Sequence, residues 1–209
     1  MHLCNLWGCR PAKPHLFVEF AAGEFTTHDF PGAASTALRG INNRGDLSGT
    51  YLTSLSADPI GYIQQRRTGR AITFKDPEPG STGIVVGKIN DRGDVVGYYT
   101  TAAQALAGFV RYANGQFLQI SVAGADATQA YGINDCGIVV GAYVIGSSHG
   151  FYGRPGALQT LDLPGVAGTR VLGVNNAGRV VGVYFDTTGI EHGFVTDAVP
   201  AASCRSTGE

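Results

Sequence analysis

Four asparagines recur at equivalent places in this chain, and a repeated amide could do chemistry. They occupy one position of a short repeated phrase, typified by Gly-Ile-Asn-Asn-Arg-Gly-Asp: Asn42, Asn90, Asn134 and Asn175. If the copies surround an axis, the four amides form a polar ring that could bind a ligand or a cation. The simpler explanation is turn chemistry, because Asn side chains cap tight turns and the Gly three residues later supplies a positive φ.

Acidic residues in the same turns differ between the copies and are the candidate metal ligands. They are Asp46, Asp91, Asp94 and Asp135. Carboxylate oxygens grouped in loops suit Ca²⁺. The segment from Asn90 to Asp94 is the richest, although it is shorter than an EF-hand loop and lacks the distal Glu. The sequence requires no cofactor, and Ca²⁺ is the candidate that these acidic residues offer.

The histidines provide two further hypotheses. Three of them begin equivalent segments: His15, His149 and His192. Three imidazoles can bind zinc, but equivalent positions of different repeats lie on a circle, too far apart to share one ion. His28 lies four residues after Glu24 and beside Asp29. His28 and Asp29 are therefore candidates for a catalytic acid–base pair, against the simpler interpretation of a surface histidine with satisfied hydrogen bonds.

Other familiar chemical signatures are missing from the sequence. There is no strand-to-helix elbow that would present a nucleophilic serine, no phosphate-binding loop and no Cys-x-x-Cys pair. The cysteines are Cys4, Cys9, Cys136 and Cys204. A Cys4–Cys9 disulfide, a disulfide from either of these to Cys204, and free thiols all remain open.

Composition restricts the class of protein. Hydrophobic residues make up 44% of the 209, charged residues only 15%, and 31 are glycine, which suits short strands joined by tight turns. A net charge of -1 without a dense basic run argues against nucleic acid as a partner. No apolar stretch approaches the length of a membrane span. We expect a monomer that binds a small molecule or a cell-surface partner.

The repeated phrase sets the architecture. Its Ile or Val recurs at Ile41, Ile89, Ile133 and Val174, at spacings of 48, 44 and 41 residues. A period in the forties is typical of a unit copied around a ring or along an array. Each copy predicts four short strands, which we call the first to fourth runs. The first run contains an aromatic residue after Gly, and the second alternates apolar and polar residues. The third run carries the repeated phrase, and the fourth has a sequence such as Val-Val-Gly-x-Tyr.

Two details of the runs predict local structure. Glycine holds one offset in every fourth run, although glycine weakens a strand. We therefore expect another backbone or a bulky side chain to approach it closely. Threonine lies five residues before the Ile or Val in three copies, but Thr82 lies seven before Ile89. A bulge or a longer loop should accommodate the two extra residues.

Four antiparallel strands per repeat describe a propeller blade. The first run occurs five times and the others four, with the surplus copy near the C-terminus. We therefore predict an all-β fold, a small β-propeller of about four, alternatively five, four-stranded blades, closed by the N- and C-terminal strands. An open array is the third option. The predicted organisation is an N-terminal tail (1–14), one repeat domain (15–197) and a C-terminal tail (198–209).

The repeat resembles the HAF repeat family of bacterial extracellular proteins over about residues 15–197. The matching His-x-Phe triplets are His15-Leu16-Phe17, His149-Gly150-Phe151 and His192-Gly193-Phe194. Two copies depart from the pattern: Ile60-Gly61-Tyr62 and Ala107-Gly108-Phe109. The resemblance implies a propeller-like fold and an extracellular or periplasmic location, although residues 1–14 lack the features of a signal peptide. It implies no activity, because the family describes a scaffold.

Two functions follow from the sequence. The first is an exported module that binds a ligand or partner through its loops. The alternative is a Ca²⁺-assisted hydrolase of the propeller-lactonase type, acting on lactones such as acyl-homoserine lactones or on esters. Convergence of Asn and Asp oxygens on one metal in a central channel would favour the hydrolase. A channel filled by Val, Tyr and Gly would argue against it.

Overall fold

The computed structural model describes residues 17–19, 25–199, 202 and 204, with side chains from residue 27 onwards. Its regular structure consists of β-strands, and no α-helix occurs in these residues, so the predicted all-β class is confirmed. The N-terminal cysteines and His15 lie outside the described residues.

The strands form repeated antiparallel units. Unit 1 comprises β3 (Ser35–Ile41), β4 (Leu47–Leu52), β5 (Ile60–Gln64) and β6 (Ala71–Phe74). Unit 2 comprises β7 (Thr82–Ile89), β8 (Val95–Thr100), β9 (Leu106–Arg111) and β10 (Phe117–Ile120). Unit 3 comprises β11 (Ala127–Ile133), β12 (Val139–Ile145), β13 (Ser147–Arg154) and β14 (Ala157–Leu161). Unit 4 has three strands, β15 (Gly168–Val174), β16 (Val180–Phe185) and β17 (Glu191–Val195).

The units follow one another side by side, each facing the next. The first strands of the units, β3, β7, β11 and β15, contact each other in chain order, and we call them the inner strands. A short hairpin of β1 (Phe17–Glu19) and β2 (Phe25–Thr27) forms a sheet of its own. The surplus first run, β17, takes the third place in unit 4. Closure of the ring by the terminal strands and the number of blades stay predictions.

Local chemistry explains how the chain enters each unit. The hydroxyl of Thr36 accepts a hydrogen bond from the backbone N–H of Phe30 at 2.9 Å. Thr128 and Thr169 accept from residues six positions earlier in the same way. In unit 2, β7 shifts register twice against β8. The shift between Val86 and Ile89 has counterparts in the other units, whereas the shift between Thr82 and Val85 is particular to unit 2. A bulge therefore occurs as predicted, and it takes up one of the two extra residues after Thr82.

The glycine of each fourth run lies under a neighbouring strand. A Cβ added to Gly97 would stand 2.0 Å from the carbonyl oxygen of Val85 and 2.8 Å from the ring of Phe109. At Gly141 the corresponding distances are 2.0 Å to Gln129 and 2.6 Å to Phe151. The predicted close approach is confirmed, and both a backbone and an aromatic ring make it.

The hydrophobic core lies between successive units. Three clusters of buried residues fill the spaces between units 1 and 2, units 2 and 3, and units 3 and 4. Phe109 and Phe151 of the first runs are fully buried members of these clusters. Burial of each such side chain contributes about 2–3 kcal/mol. Packing between units therefore holds the inner strands beside one another.

Candidate functional site

The repeated asparagines form the turns between the inner strands and the strands that follow them. In unit 2 the Asn90 Oδ1 accepts hydrogen bonds from the backbone N–H groups of Arg92 at 3.0 Å and Asp94 at 2.9 Å. Gly93 follows with φ +89°, a conformation that glycine adopts without strain. The turn chemistry expected from the sequence is thus present.

The same amides also join neighbouring units, which the sequence did not predict. Each Nδ2 donates to the backbone carbonyl of the equivalent asparagine in the next unit: Asn42 to Asn90 at 3.0 Å, Asn90 to Asn134 at 3.1 Å and Asn134 to Asn175 at 3.2 Å. We call this series the amide ladder. Asn90 and Asn134 are buried. The Nδ2 groups of Asn42, Asn90 and Asn134 thus have partners within the protein, whereas in the described structure Asn175 uses only its Oδ1, which accepts from the backbone N–H of Arg179. Binding of a ligand by these four asparagines stays a prediction.

A second ladder runs beside the first, one residue further along each turn. Each backbone N–H donates to the side-chain oxygen of the equivalent residue in the next unit: Asn43 to Asp91 at 2.8 Å, Asp91 to Asp135 at 2.7 Å and Asp135 to Asn176 at 2.9 Å. Asp91 and Asp135 therefore connect units. We call this series the carboxylate ladder.

Asp46 and Asp94 support their turns from within. The Asp94 carboxylate accepts hydrogen bonds from Asn90 Nδ2 and the backbone N–H of Ala113, and pairs with Arg92. Asp46 has the equivalent partners in unit 1. Burial raises the pKa of Asp46, but hydrogen bonds from Asn42 and Arg66 and the charge of Arg44 outweigh it and leave the pKa below its usual value.

The described part of the chain offers no cluster of side chains that would support the metal-site hypothesis. Within it, no group of three or more His, Cys, Asp and Glu side chains is placed to hold a metal ion. The oxygens of Asp46, Asp91, Asp94 and Asp135 instead accept hydrogen bonds within and between turns. Calcium binding by these residues stays a prediction.

Two of the repeated histidines have structural partners. The His149 ring stacks on Tyr143 at 5.1 Å, and its Nδ1 lies 2.7 Å from the Asp162 carboxylate. The hydrogen bond to Asp162 raises the pKa of His149. His192 stacks on Tyr184 at 5.0 Å and contacts a carboxylate oxygen of Asp186 at 3.0 Å. Each histidine packs at the start of its strand, separately from the other.

His28 and Asp29 lie beside an aromatic cluster at the start of unit 1. The His28 ring is 6.3 Å from that of Tyr62. The buried His28 Nε2 and the Tyr62 hydroxyl have no hydrogen-bond partner among the described residues. Burial, together with the charge of Asp29, raises the pKa of Tyr62 to about 12. The acid–base role of His28 and Asp29 stays a prediction.

A disulfide ties the C-terminal segment to the turns. Cys136 pairs with Cys204, with their Cα atoms 5.3 Å apart, a pairing absent from the alternatives that the sequence left open. Between them Ala202 is fully buried, and its carbonyl accepts a hydrogen bond from Asn134 Nδ2 at 2.8 Å. The backbone N–H of Cys204 donates to the carbonyl of Asn176. Val199, Ala202 and Cys204 therefore lie against the turns of units 3 and 4.

A cleft of about 360 Å³ opens on the inner strands. All four units contribute to it, because every inner strand supplies at least one lining residue. Its apolar and aromatic walls include Leu38, Tyr98, Tyr131 and Leu172, and its cationic residues are Arg39 and Lys88. We call it the inner cleft. Sequence reasoning missed it, because its members occupy positions of the third and fourth runs that differ from copy to copy.

The inner cleft has positively charged side chains and no carboxylates on the strands that form it. The first two strands of every unit contain no Asp or Glu. Arg39 and Lys88 are exposed and form no ion pair with a described residue. Arg170, on the inner strand of unit 4, has only neutral partners in the described structure, the Ser148 hydroxyl at 3.3 Å and the Phe185 ring at 5.0 Å. Positive charge near the cleft is therefore not neutralised by neighbouring carboxylates on these strands.

Two tyrosines shape the aromatic wall of the inner cleft. The rings of Tyr98 and Tyr131 meet edge to face, with centroids 6.2 Å apart. The Tyr131 hydroxyl donates to Gln129 Oε1 at 2.9 Å, which fixes the ring. Burial raises the pKa of Tyr131 against the opposing effect of the Arg170 charge, so this hydroxyl stays neutral at physiological pH.

Comparison with known proteins supports the fold. The sequence matches no family model and no curated protein. The crystal structure of TolB from Acinetobacter baumannii, a β-propeller, matches with a TM-score of 0.55 and 12% identity over 89% of this chain and 49% of that chain. The chain thus spans about half the length of that TolB chain, and at this identity the likeness shows the fold alone.

A second solved structure shows a weaker likeness. It is a triple arginine-to-alanine mutant of AofleA from Arthrobotrys oligospora, with a TM-score of 0.43 and 13% identity over 83% of this chain and 58% of that chain. A TM-score at this level does not establish a common fold. The described part of the chain contains no helix with the length and hydropathy that a membrane crossing requires.

Proposed function

We propose that this protein is an exported binding module, and that its inner cleft holds a small anionic ligand with an apolar or aromatic body. The observation that carries the proposal is the inner cleft itself. It combines two cations without ion-pair partners in the described structure, an aromatic wall and inner strands free of carboxylates. Its volume of about 360 Å³ falls in the range of small-molecule sites.

The chemistry of the cleft favours a carboxylate or a related anion. A guanidinium such as that of Arg39 donates two parallel hydrogen bonds to a carboxylate, and an ammonium such as that of Lys88 adds a point charge. Leu38 and Leu172 offer apolar contact to the rest of the ligand. Tyr98 and Tyr131 offer ring faces and edges for an aromatic group.

The disulfide supports the exported location. Disulfides persist mainly in oxidising compartments such as the periplasm and the extracellular space, and Cys136 pairs with Cys204. The resemblance to extracellular repeats implies the same location.

No observation favours the alternative, a calcium-assisted lactonase. In the described structure the Asn and Asp oxygens of the repeated turns accept hydrogen bonds from Asn side chains and backbone N–H groups, and none of these residues lines the inner cleft. The cleft instead presents Tyr, Leu, Arg and Lys.

Matched pairs of ligands test the proposal. Naphthalene-2-carboxylate and its neutral isostere naphthalene-2-carboxamide differ in charge but hardly in shape, and titration calorimetry gives their Kd values. We expect the carboxylate to bind at least about tenfold more tightly, because hydrogen bonds to charged groups are the stronger ones. Arg39→Gln and Lys88→Gln should each remove most of this preference.

Arg67→Gln is the control, since Arg67 is an exposed cation in the loop between β5 and β6. It should leave both Kd values unchanged. Equal affinity for the two ligands would contradict the proposed anion site. So would a preference for the carboxylate that survives both Arg39→Gln and Lys88→Gln. Absence of any binding in a wider panel of aryl carboxylates, sulfonates and phosphates would overturn the proposed function.

A further inference from the structure

Unit 4 exposes apolar side chains at positions that the other units bury. Val181 of β16 is 48% exposed, whereas the equivalent Ser48, Val96 and Val140 are fully buried. Val195 of β17 is 59% exposed, whereas the equivalent Ile63 and Val110 are 4% and 1% exposed. In units 1 to 3 these positions face the next unit along the chain. The exposed face of unit 4, which we call the trailing face, therefore has the form of a unit-to-unit interface without its partner.

Unit 1 shows the complementary exposure at the other end of the array. Ile41 of β3 is 57% exposed, whereas the equivalent Ile89 and Ile133 are 5% and 7% exposed. Ile89 and Ile133 pack in the clusters that join each unit to the preceding one. We call this side of unit 1 the leading face. It presents the half of the interface that the trailing face lacks.

The hydrogen-bond ladders are open at the same two ends. In unit 4, Asn175 Nδ2 and the backbone N–H of Asn176 correspond to donors that bind the next unit elsewhere, and neither has an acceptor among the described residues. In unit 1, the carbonyl of Asn42 and the Oδ1 of Asn43 correspond to acceptors that elsewhere receive those bonds. The described structure gives neither of them an inter-unit donor. Donors are thus left at the trailing face and acceptors at the leading face.

We propose that a second copy of this chain docks head to tail, with its leading face on the trailing face of the first. The contact would repeat the three internal interfaces: Val181 and Val195 would meet Ile41, and the amide and carboxylate ladders would continue from one chain into the next. Such a heterologous interface closes into a ring when the rotation permits and otherwise propagates.

The structure favours a second copy over closure within one chain. Val181, Val195 and Ile41 are exposed in the same molecule, and the extensive contacts of β3 are with β4 and β7, not with β15 or β16. Within the described part of the chain, both halves of the interface therefore lack a partner. The proposal differs from the monomer that the sequence predicts and does not depend on the ligand of the inner cleft.

Sedimentation equilibrium of the full chain over a concentration series tests the proposal. The wild-type protein should self-associate, and Val181→Asp and Ile41→Asp should each weaken association at least about tenfold, because a carboxylate would be buried without a partner. Ile145→Asp is the control: Ile145 is 46% exposed at the end of β12, away from both faces, and its substitution should leave association unchanged.

Mixing the two interface variants gives the sharper result. Ile41→Asp retains an intact trailing face and Val181→Asp an intact leading face, so equimolar mixing should restore a one-to-one heterodimer. Circular dichroism confirms that each variant folds. A wild-type protein that remains a monomer at all concentrations, as closure within one chain requires, would overturn the proposal. Association that survives both substitutions, or a mixture that does not associate, would overturn it equally.

Discussion

Two buried tyrosines, Tyr62 and Tyr143, differ in whether their hydroxyl group has a hydrogen-bond partner. The Tyr143 hydroxyl shares a hydrogen bond with Thr160 Oγ1 at 2.9 Å, whereas the Tyr62 hydroxyl is buried without a partner in the described structure. A buried polar group that lacks a hydrogen bond destabilises the folded state. The aromatic layer near His28 therefore contains a local weakness that the equivalent layers with Phe109 and Phe151 do not have.

Tyr62→Phe should accordingly raise the free energy of unfolding by about 1 kcal/mol, because it removes an unsatisfied hydroxyl and keeps the ring. Tyr143→Phe, the matched substitution, should lower the free energy of unfolding by about 1 kcal/mol, because it breaks a hydrogen bond. Urea denaturation followed by fluorescence measures both. Greater destabilisation by Tyr62→Phe than by Tyr143→Phe would contradict this account.

At the scale of a strand, the fourth-run glycine sets how closely the inner strand packs. In unit 4 a Cβ on Gly182 would stand 2.1 Å from the carbonyl of Arg170, whereas one on Gly193 would meet nothing within 4 Å. Both glycines lie in strands of the same unit, so they form a matched pair.

Gly182→Ala should destabilise the protein by about 2–3 kcal/mol, since the backbone would have to move to admit the methyl group. Gly193→Ala should change the free energy of unfolding by less than about 1 kcal/mol, because its Cβ would meet open space. Thermal and urea denaturation of the two variants give the comparison. Similar losses for both would show that the close approach has no energetic importance.

The glycine and the turns show what the sequence could predict. Period, run order and the cost of glycine in a strand were enough to predict the strands, the bulge in β7 and the crowding at Gly97. The amide ladder was not predictable, because turn capping alone is enough to explain an asparagine at this position of each repeat, and nothing in the sequence indicates a second bond to the next unit. The inner cleft was missed because its residues, such as Arg39 and Tyr131, vary between copies and come together only through the unit-to-unit packing.

In the whole molecule, the Cys136–Cys204 disulfide joins the C-terminal segment to unit 3 across 68 residues. The sequence could not supply this pairing, because connectivity does not follow from cysteine spacing and the approach of Ala202 and Cys204 to the turns was not evident. The disulfide also holds Ala202 over Asn134, where it completes the hydrogen bonding of that amide.

Cys136→Ser together with Cys204→Ser should lower the free energy of unfolding by about 4 kcal/mol, because a loop of this length is no longer constrained in the unfolded chain. Guanidinium denaturation of the oxidised protein and the double variant measures the difference. Adding a thiol reductant should destabilise the wild type by at least as much, and should affect the double variant, which keeps Cys4 and Cys9, much less. Equal stability of all three forms would contradict the assigned role.

Every bond of the two ladders runs in one direction, from each unit to the one that follows it. Gene duplication of one repeat would therefore insert a unit whose two faces already match both neighbours, without any new surface having to evolve. Deletion of a repeat would leave matching faces in the same way. Such a chain can change its length through duplication or deletion of single repeats. The number of copies is then limited by the curvature of the array and not by the fit between neighbouring units.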